Sequence, residues 1–99
     1  MEKFDNFQDI AALALIRADI LVRYLCPHGK RAGHEWVTLN PTRFDTKQGS
    51  FKINLKTGKW GDFATGGRGG DLIALWAYIK GTTQYEALRE LHNWLGRAC

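Results

Sequence analysis

The segment from Ser50 to Asp71 constrains this chain more than any other, because a strand, a turn, a returning strand and a helix start follow one another without a gap. In Ser50-Phe51-Lys52-Ile53-Asn54-Leu55 the apolar Phe51, Ile53 and Leu55 alternate with Lys52 and Asn54, so one face of a strand is apolar and the other is wet. Lys56-Thr57-Gly58-Lys59 reads as a tight turn in which Gly58 can take positive φ, and Trp60-Gly61-Asp62-Phe63 returns as the antiparallel partner. After the run Gly66-Gly67-Arg68-Gly69-Gly70, Asp71 can cap a helix carrying Leu72, Ile73, Leu75, Trp76, Tyr78 and Ile79. Two strands cannot bury an apolar face by themselves, so the flanking segments must cover it.

Upstream, His34-Glu35-Trp36-Val37-Thr38-Leu39 predicts a third strand, ended by Asn40-Pro41 and followed by a loop over residues 42–49. Lys30-Arg31-Ala32-Gly33 reads as a basic turn leading into it. Before that, Asp5 or Asn6 can cap a helix whose apolar residues Phe7, Ile10, Ala11, Ala14, Leu15, Ala18, Leu21, Val22 and Leu25 recur at helical spacing, and which ends before Pro27-His28-Gly29. Downstream, Gly81 is placed as a helix stop and Thr82 or Thr83 caps a last helix with Tyr85, Leu88, Leu91, His92 and Leu95 on one side, closed by Gly96. The expectation is one α+β domain over 1–99: an N-terminal helix within 1–26, antiparallel strands within 34–63 and two C-terminal helices within 71–96. A small three-stranded antiparallel sheet with a hairpin packs against two or three helices.

Charge is concentrated on the middle of this plan. From Arg23 to Lys59 the cations Arg23, Lys30, Arg31, Arg43, Lys47, Lys52, Lys56 and Lys59 face only Glu35 and Asp45, giving 8 − 2 = +6, whereas the whole chain carries +4. The remainder is therefore 4 − 6 = −2. Such a concentration suits phosphate contacts, and it also suits a solvated lysine-rich face. The residues read as phosphate contacts are Lys30, Arg31, Arg43, Lys47, Lys52, Lys56, Lys59 and Arg68. Trp36 and Trp60 have two fates open to them, as stacking platforms for bases or as core residues of a small sheet.

Other classes are disfavoured. No Walker pattern, no Ser/His/Asp or Cys/His set and no cluster of acids occurs, so the chain is not read as an enzyme and no cofactor is expected. The glycine run before Asp71 can present backbone N–H groups to an anion, or can serve as the turn that brings hairpin and helix together. Two cysteines, Cys26 and Cys99, make no disulfide framework and fit a reducing cytoplasm. The start Met1-Glu2-Lys3-Phe4-Asp5-Asn6 is unlike a signal peptide, and Arg17, Asp19 and Arg23 interrupt the apolar stretch from Ile10 to Leu25, so no membrane partner is expected.

Ser50-Phe51-Lys52-Ile53, the hairpin, Asp62-Phe63-Ala64-Thr65-Gly66 and Gly69-Gly70-Asp71-Leu72-Ile73 resemble, in that order, the amino-terminal zinc-ribbon domain of bacterial and phage DNA primases. The longer stretch from His34-Glu35-Trp36 to Asn40-Pro41-Thr42-Arg43 and on through Trp60 to Gly66 looks like the metal-free form of that domain in mobile-element primase–helicases. Where the family has a Cys-x-x-Cys knuckle this chain has Asp62 and Thr65, and Cys26-Pro27-His28 lacks the spacing of the other half-site. The resemblance thus implies a degenerate ribbon without zinc, held by packing around Trp36, Phe51, Trp60 and Phe63. It implies a non-catalytic module of phage or mobile-element DNA replication that contacts template DNA, single-stranded in preference. Further partners would be a helicase, a primase or another replication protein. The alternative is a freestanding protein–protein module, such as a replication accessory or a phage-encoded inhibitor of a host nucleic-acid-binding complex.

Overall fold

A computed structural model describes residues 7–42 and 50–98. Nine elements follow in order: α1 (Phe7–Ile16), α2 (Ala18–Leu25), β1 (Lys30–Ala32), β2 (Glu35–Thr38), β3 (Phe51–Asn54), β4 (Trp60–Asp62), β5 (Arg68–Gly69), α3 (Leu72–Lys80) and α4 (Gln84–Ala98). The strands form one antiparallel meander in the order β1-β2-β3-β4-β5. The sheet therefore has five strands where the sequence pattern predicts three. Both additions are edge strands: Lys30-Arg31-Ala32, expected as a turn, pairs with β2, and Arg68-Gly69 of the glycine run pairs with β4. Neither shows apolar alternation, because β1 buries neither face and β5 is only two residues long.

Alternation sets the inner face. Trp36, Phe51, Ile53 and Trp60 are buried, and they meet Leu72, Ile73, Leu75 and Trp76 of α3 in one core. Phe51, Trp60 and Tyr78 form an aromatic triangle with ring centroids 4.9 to 6.1 Å apart. Full burial of a side chain such as Phe51 contributes about 2 to 3 kcal/mol. The two tryptophans of the sheet, Trp36 and Trp60, each lie over a glycine. A Cβ on Gly29 would sit 2.4 Å from Trp36 Nε1 and one on Gly69 2.5 Å from Trp60 Cζ2, so each glycine admits an indole that no larger residue would. The indole N–H groups then reach backbone oxygens, Trp36 to Cys26 at 2.9 Å and Trp60 to Asp71 at 3.0 Å.

α3 and the start of α4 carry the stops and starts that the sequence predicts, whereas Gly96, expected to close the last helix, lies inside it. Asp71 caps α3 by accepting from the Ala74 N–H at 2.8 Å, and Gly81 ends it at φ 70°, ψ 35°. Thr83 and Glu86 then form a reciprocal capping box at the start of α4, which runs past Gly96 to Ala98. One expectation fails at the amino end: the single predicted helix is two. Arg17 leaves helical geometry at φ −105°, ψ 26°, and its N–H divides between the carbonyls of Leu13 and Ala14. The buried residues Ile10, Ala14, Ala18, Leu21, Val22 and Leu25 keep helical spacing across the bend, which wraps one apolar stripe around the core. The proposed caps Asp5 and Asn6 lie outside the described residues.

Cys26 closes α2 and is buried against this core. Burial pushes its thiol up from the ordinary 9.0 to about 12, which keeps it protonated. A raised folded-state pKa contributes stability that is complete below the unfolded value and is lost as pH rises toward the folded one. Stability is therefore expected to fall between pH 9 and about 12 in the native chain, and to fall less in Cys26→Ala. Urea titrations of both chains across that range check this, and equal pH slopes would refute it.

Candidate nucleic-acid interface

Among the described residues the helices cover the inner face alone and the other face of the sheet is open, so the strand register decides which side chains stand on it. Lys30 is opposite Val37, Val37 opposite Lys52, Lys52 opposite Gly61 and Gly61 opposite Arg68. These five residues form one row across all five strands. Its cations occupy every second strand, about 10 Å apart at the usual strand spacing. A parallel row places Ala32, Glu35 and Asn54 in register, with Lys59 beside Asn54 through the Asn54 N–H to Lys59 oxygen bond of 2.7 Å.

Continuing the alternation of β4 by one residue turns Phe63 outward. The residue is 74% exposed, and Lys52 Nζ stands 5.5 Å from its ring centroid. Between Phe63 and Arg68, over Gly61, lies a trough of about 560 Å³ that also borders Glu35, Asn54 and Lys59.

Under this face is the turn from Asp62 to Gly67. Asp62 points inward and is 1% exposed. Its Oδ2 accepts from Asn40 Nδ2 at 2.7 Å, and its Oδ1 from the Ala64 N–H at 2.9 Å. The Asp62 backbone oxygen accepts from Gly66 at 2.7 Å, with Gly66 at φ 83°. Asn40 is equally buried. Its Nδ2 also donates to the Tyr78 hydroxyl at 2.9 Å, while its Oδ1 accepts from the N–H and Oγ1 of Thr42 at 2.8 and 2.7 Å. Two turns remote in sequence are thus joined side chain to side chain and tied to α3. Each charge-assisted bond of this kind contributes roughly 1.5 to 3 kcal/mol.

No family model matches the chain, and no curated protein matches it. Among solved structures it is similar to the crystal structure of the Aquifex aeolicus primase comprising the zinc-binding and RNA polymerase domains, with a TM-score of 0.72 and 21% identity over 97% of this chain. The fold is primase-like. The chain spans 22% of that protein's length, and at this identity the likeness establishes the fold alone.

The described residues do not fit a structural zinc ion. Among the described residues no three His, Cys, Asp or Glu side chains converge. The Asp62 carboxylate is committed to Asn40 and Ala64, and Cys26 is buried ahead of β1, the strand at the sheet edge remote from β4 and β5. The side chain facing the Asp62 turn is Asn40 rather than Cys26 or His28.

Of the ten residues read from sequence, Lys30, Lys52, Lys59 and Arg68 come together on the open face, and Lys56 is exposed at the hairpin turn beside it. Arg31 pairs with Trp36 and so falls on the opposite side, where its Nε donates to the Gly33 oxygen at 2.9 Å. Trp36 and Trp60, at 3% and 6% exposure, are core residues rather than stacking platforms. Arg43 and Lys47 lie outside the described residues. Phe63, expected in the core, is the exposed aromatic instead, and Asn40 has a structural role its sequence context gave no reason to suspect. Period-2 alternation from Trp60 would have found Phe63; accepting it requires placing charged Asp62 inside.

Exchange of the Asp62 carboxylate for an amide tests the knuckle. In Asp62→Asn the new NH2 group faces a donor in either orientation, the Ala64 N–H or Asn40 Nδ2, and reversal of the Asn40 amide would sacrifice both Thr42 bonds. A loss of roughly 1 to 3 kcal/mol in urea denaturation is expected, with most of it recovered in the swapped pair Asn40→Asp/Asp62→Asn. A stable single variant would sink this account.

Proposed function

We propose that the chain is a non-catalytic nucleic-acid-binding module of DNA replication that engages single-stranded DNA across the open face of its sheet. The observation that carries this reading is the cross-strand row of Lys30, Lys52 and Arg68 with exposed Phe63 beside it. Cations supply sequence-independent attraction to phosphates, and an exposed aromatic takes the face of an unpaired base, which a duplex does not offer. Primase-like architecture supports a replication setting, and the resemblance of the sequence to primase–helicases of phage and mobile elements favours theirs. Because the chain spans about a fifth of the neighbour, binding is its share of the process, with a helicase, primase or other replication protein as the partner that acts. No helix among the described residues is long and apolar enough to cross a membrane.

Binding of labelled single-stranded DNA, followed by fluorescence anisotropy at low salt, is expected to weaken as salt rises. Reversal of the row in Lys52→Glu/Arg68→Glu should lower affinity at least tenfold and flatten the salt dependence by about 0.7 for each phosphate no longer neutralised. Phe63→Ala should cost roughly 1 to 3 kcal/mol and leave that slope unchanged. Salt-insensitive binding, or none, would refute the reading.

One observation favours the protein–protein alternative. Leu13, Ile16 and Ile20 are exposed at helical spacing on either side of the Arg17 bend. The aromatic and apolar residues of α3 and α4 contribute less: Trp76 and Leu88 are buried and Tyr78 and Trp94 are partly covered, while Tyr85 is exposed. A chain that stays monomeric in size-exclusion chromatography and shows no complex with a purified cognate helicase or primase would count against this alternative.

A further inference from the structure

The trough beside Phe63 contains groups that phosphate binding does not use. Gly61 forms its floor, yet nothing local demands glycine there: its φ is not positive, and a Cβ would meet only the Arg68 Cβ and the Gly67 oxygen, each at 3.6 Å. The missing side chain keeps the trough open. Its volume of about 560 Å³ falls within the range of sites that hold small organic groups.

Glu35 stands in this trough although its neighbours Lys52, Lys59 and Arg68 face the same way. A carboxylate here repels phosphate, and among the described residues it makes no ion pair with those cations. Asn54 is its partner in register. Asn54 Oδ1 is engaged by the N–H groups of Lys56 and Thr57 at 2.8 and 3.0 Å, which leaves its Nδ2 as the group offered to a ligand. The floor thus presents an anionic acceptor and a neutral donor side by side, with an aromatic ring at one wall and Lys59 and Arg68 at the rim.

We propose that this trough receives one unpaired nucleobase bearing an exocyclic amino group and that Glu35 selects it. The inference rests on the nucleic-acid reading above and adds a base preference to it. Glu35 accepts from the amino group, Asn54 Nδ2 donates to a neighbouring acceptor of the same base, and the base leans its face on Phe63. Cytosine and adenine each place an amino group next to a ring nitrogen that accepts. Thymine has a single N–H set between two carbonyl oxygens, so any pose that offers this N–H to Glu35 brings an oxygen against the carboxylate. Phosphates of the same strand remain with Lys59 and Arg68.

Anisotropy titrations with labelled oligo-dC, oligo-dA and oligo-dT, on the native chain and on Glu35→Ala, separate the possibilities. The native chain is expected to bind oligo-dC and oligo-dA roughly five- to tenfold more tightly than oligo-dT. In Glu35→Ala the three affinities should converge to within about twofold, chiefly through tighter binding of oligo-dT once the repelling carboxylate is gone. Glu35→Gln, which preserves the shape of the side chain, should fall between the two and guards against a folding defect. Equal affinities in the native chain, or a preference that survives Glu35→Ala, overturn this inference and leave the parent reading standing. Failure of every oligonucleotide to bind overturns both.

Discussion

The open face depends on a hydrogen bond made beneath it, between Asn40 Nδ2 and Asp62 Oδ2. Putting a carboxylate inside at position 62 fixes the phase of β4, and that phase turns Phe63 out and leaves Gly61 as a gap between Lys52 and Arg68. Tyr78 and Thr42 satisfy the remaining valences of Asn40, so the pair is a complete polar network rather than a buried charge left alone. A metal ion would join two such turns from four directions at once. Here directionality comes from side chains whose donors and acceptors are each already assigned.

Elements with a repeating apolar pattern or a capping residue were legible in the sequence. β3 was read from Phe51 and Ile53, the hairpin from Gly58, and α3 from Asp71 and Gly81, because each signal lies within a few residues of its effect. What escaped reading is non-local or wet on both sides. β1 and β5 are defined by pairing to a neighbour and not by burial, and the bend at Arg17 preserves the very spacing that predicted a continuous helix. For the site, the cations were evident but their distribution over faces was not, since the register that sends Arg31 away from Lys30 is set by pairing with Trp36 and Val37. Hydrophobicity alone assigned Phe63 to the core and gave no hint of Asn40, whose partner is 22 residues distant.

Alternating the row also solves a problem of repulsion. Like charges directly opposite one another on adjacent strands destabilise a sheet. Val37 separates Lys30 from Lys52, and Gly61 separates Lys52 from Arg68, so the positive potential extends across the whole sheet without any two cations occupying paired positions. Lys52 is further accommodated by the Phe63 ring.

Gly58, at the tip of the β3–β4 hairpin, is buried, and a Cβ added to it would lie 3.6 Å from Leu15 of α1 and from Asp71 and Leu72 at the start of α3. Hairpin tips ordinarily wave in solvent; this one rests on two helices. The strands that carry Lys52, Asn54, Lys59 and Gly61 are therefore braced at their far end as well as at the Asp62 turn, and the backbone entropy of that surface has been given up in folding. A ligand settling there orders itself and a few side chains, while the platform beneath is already in place.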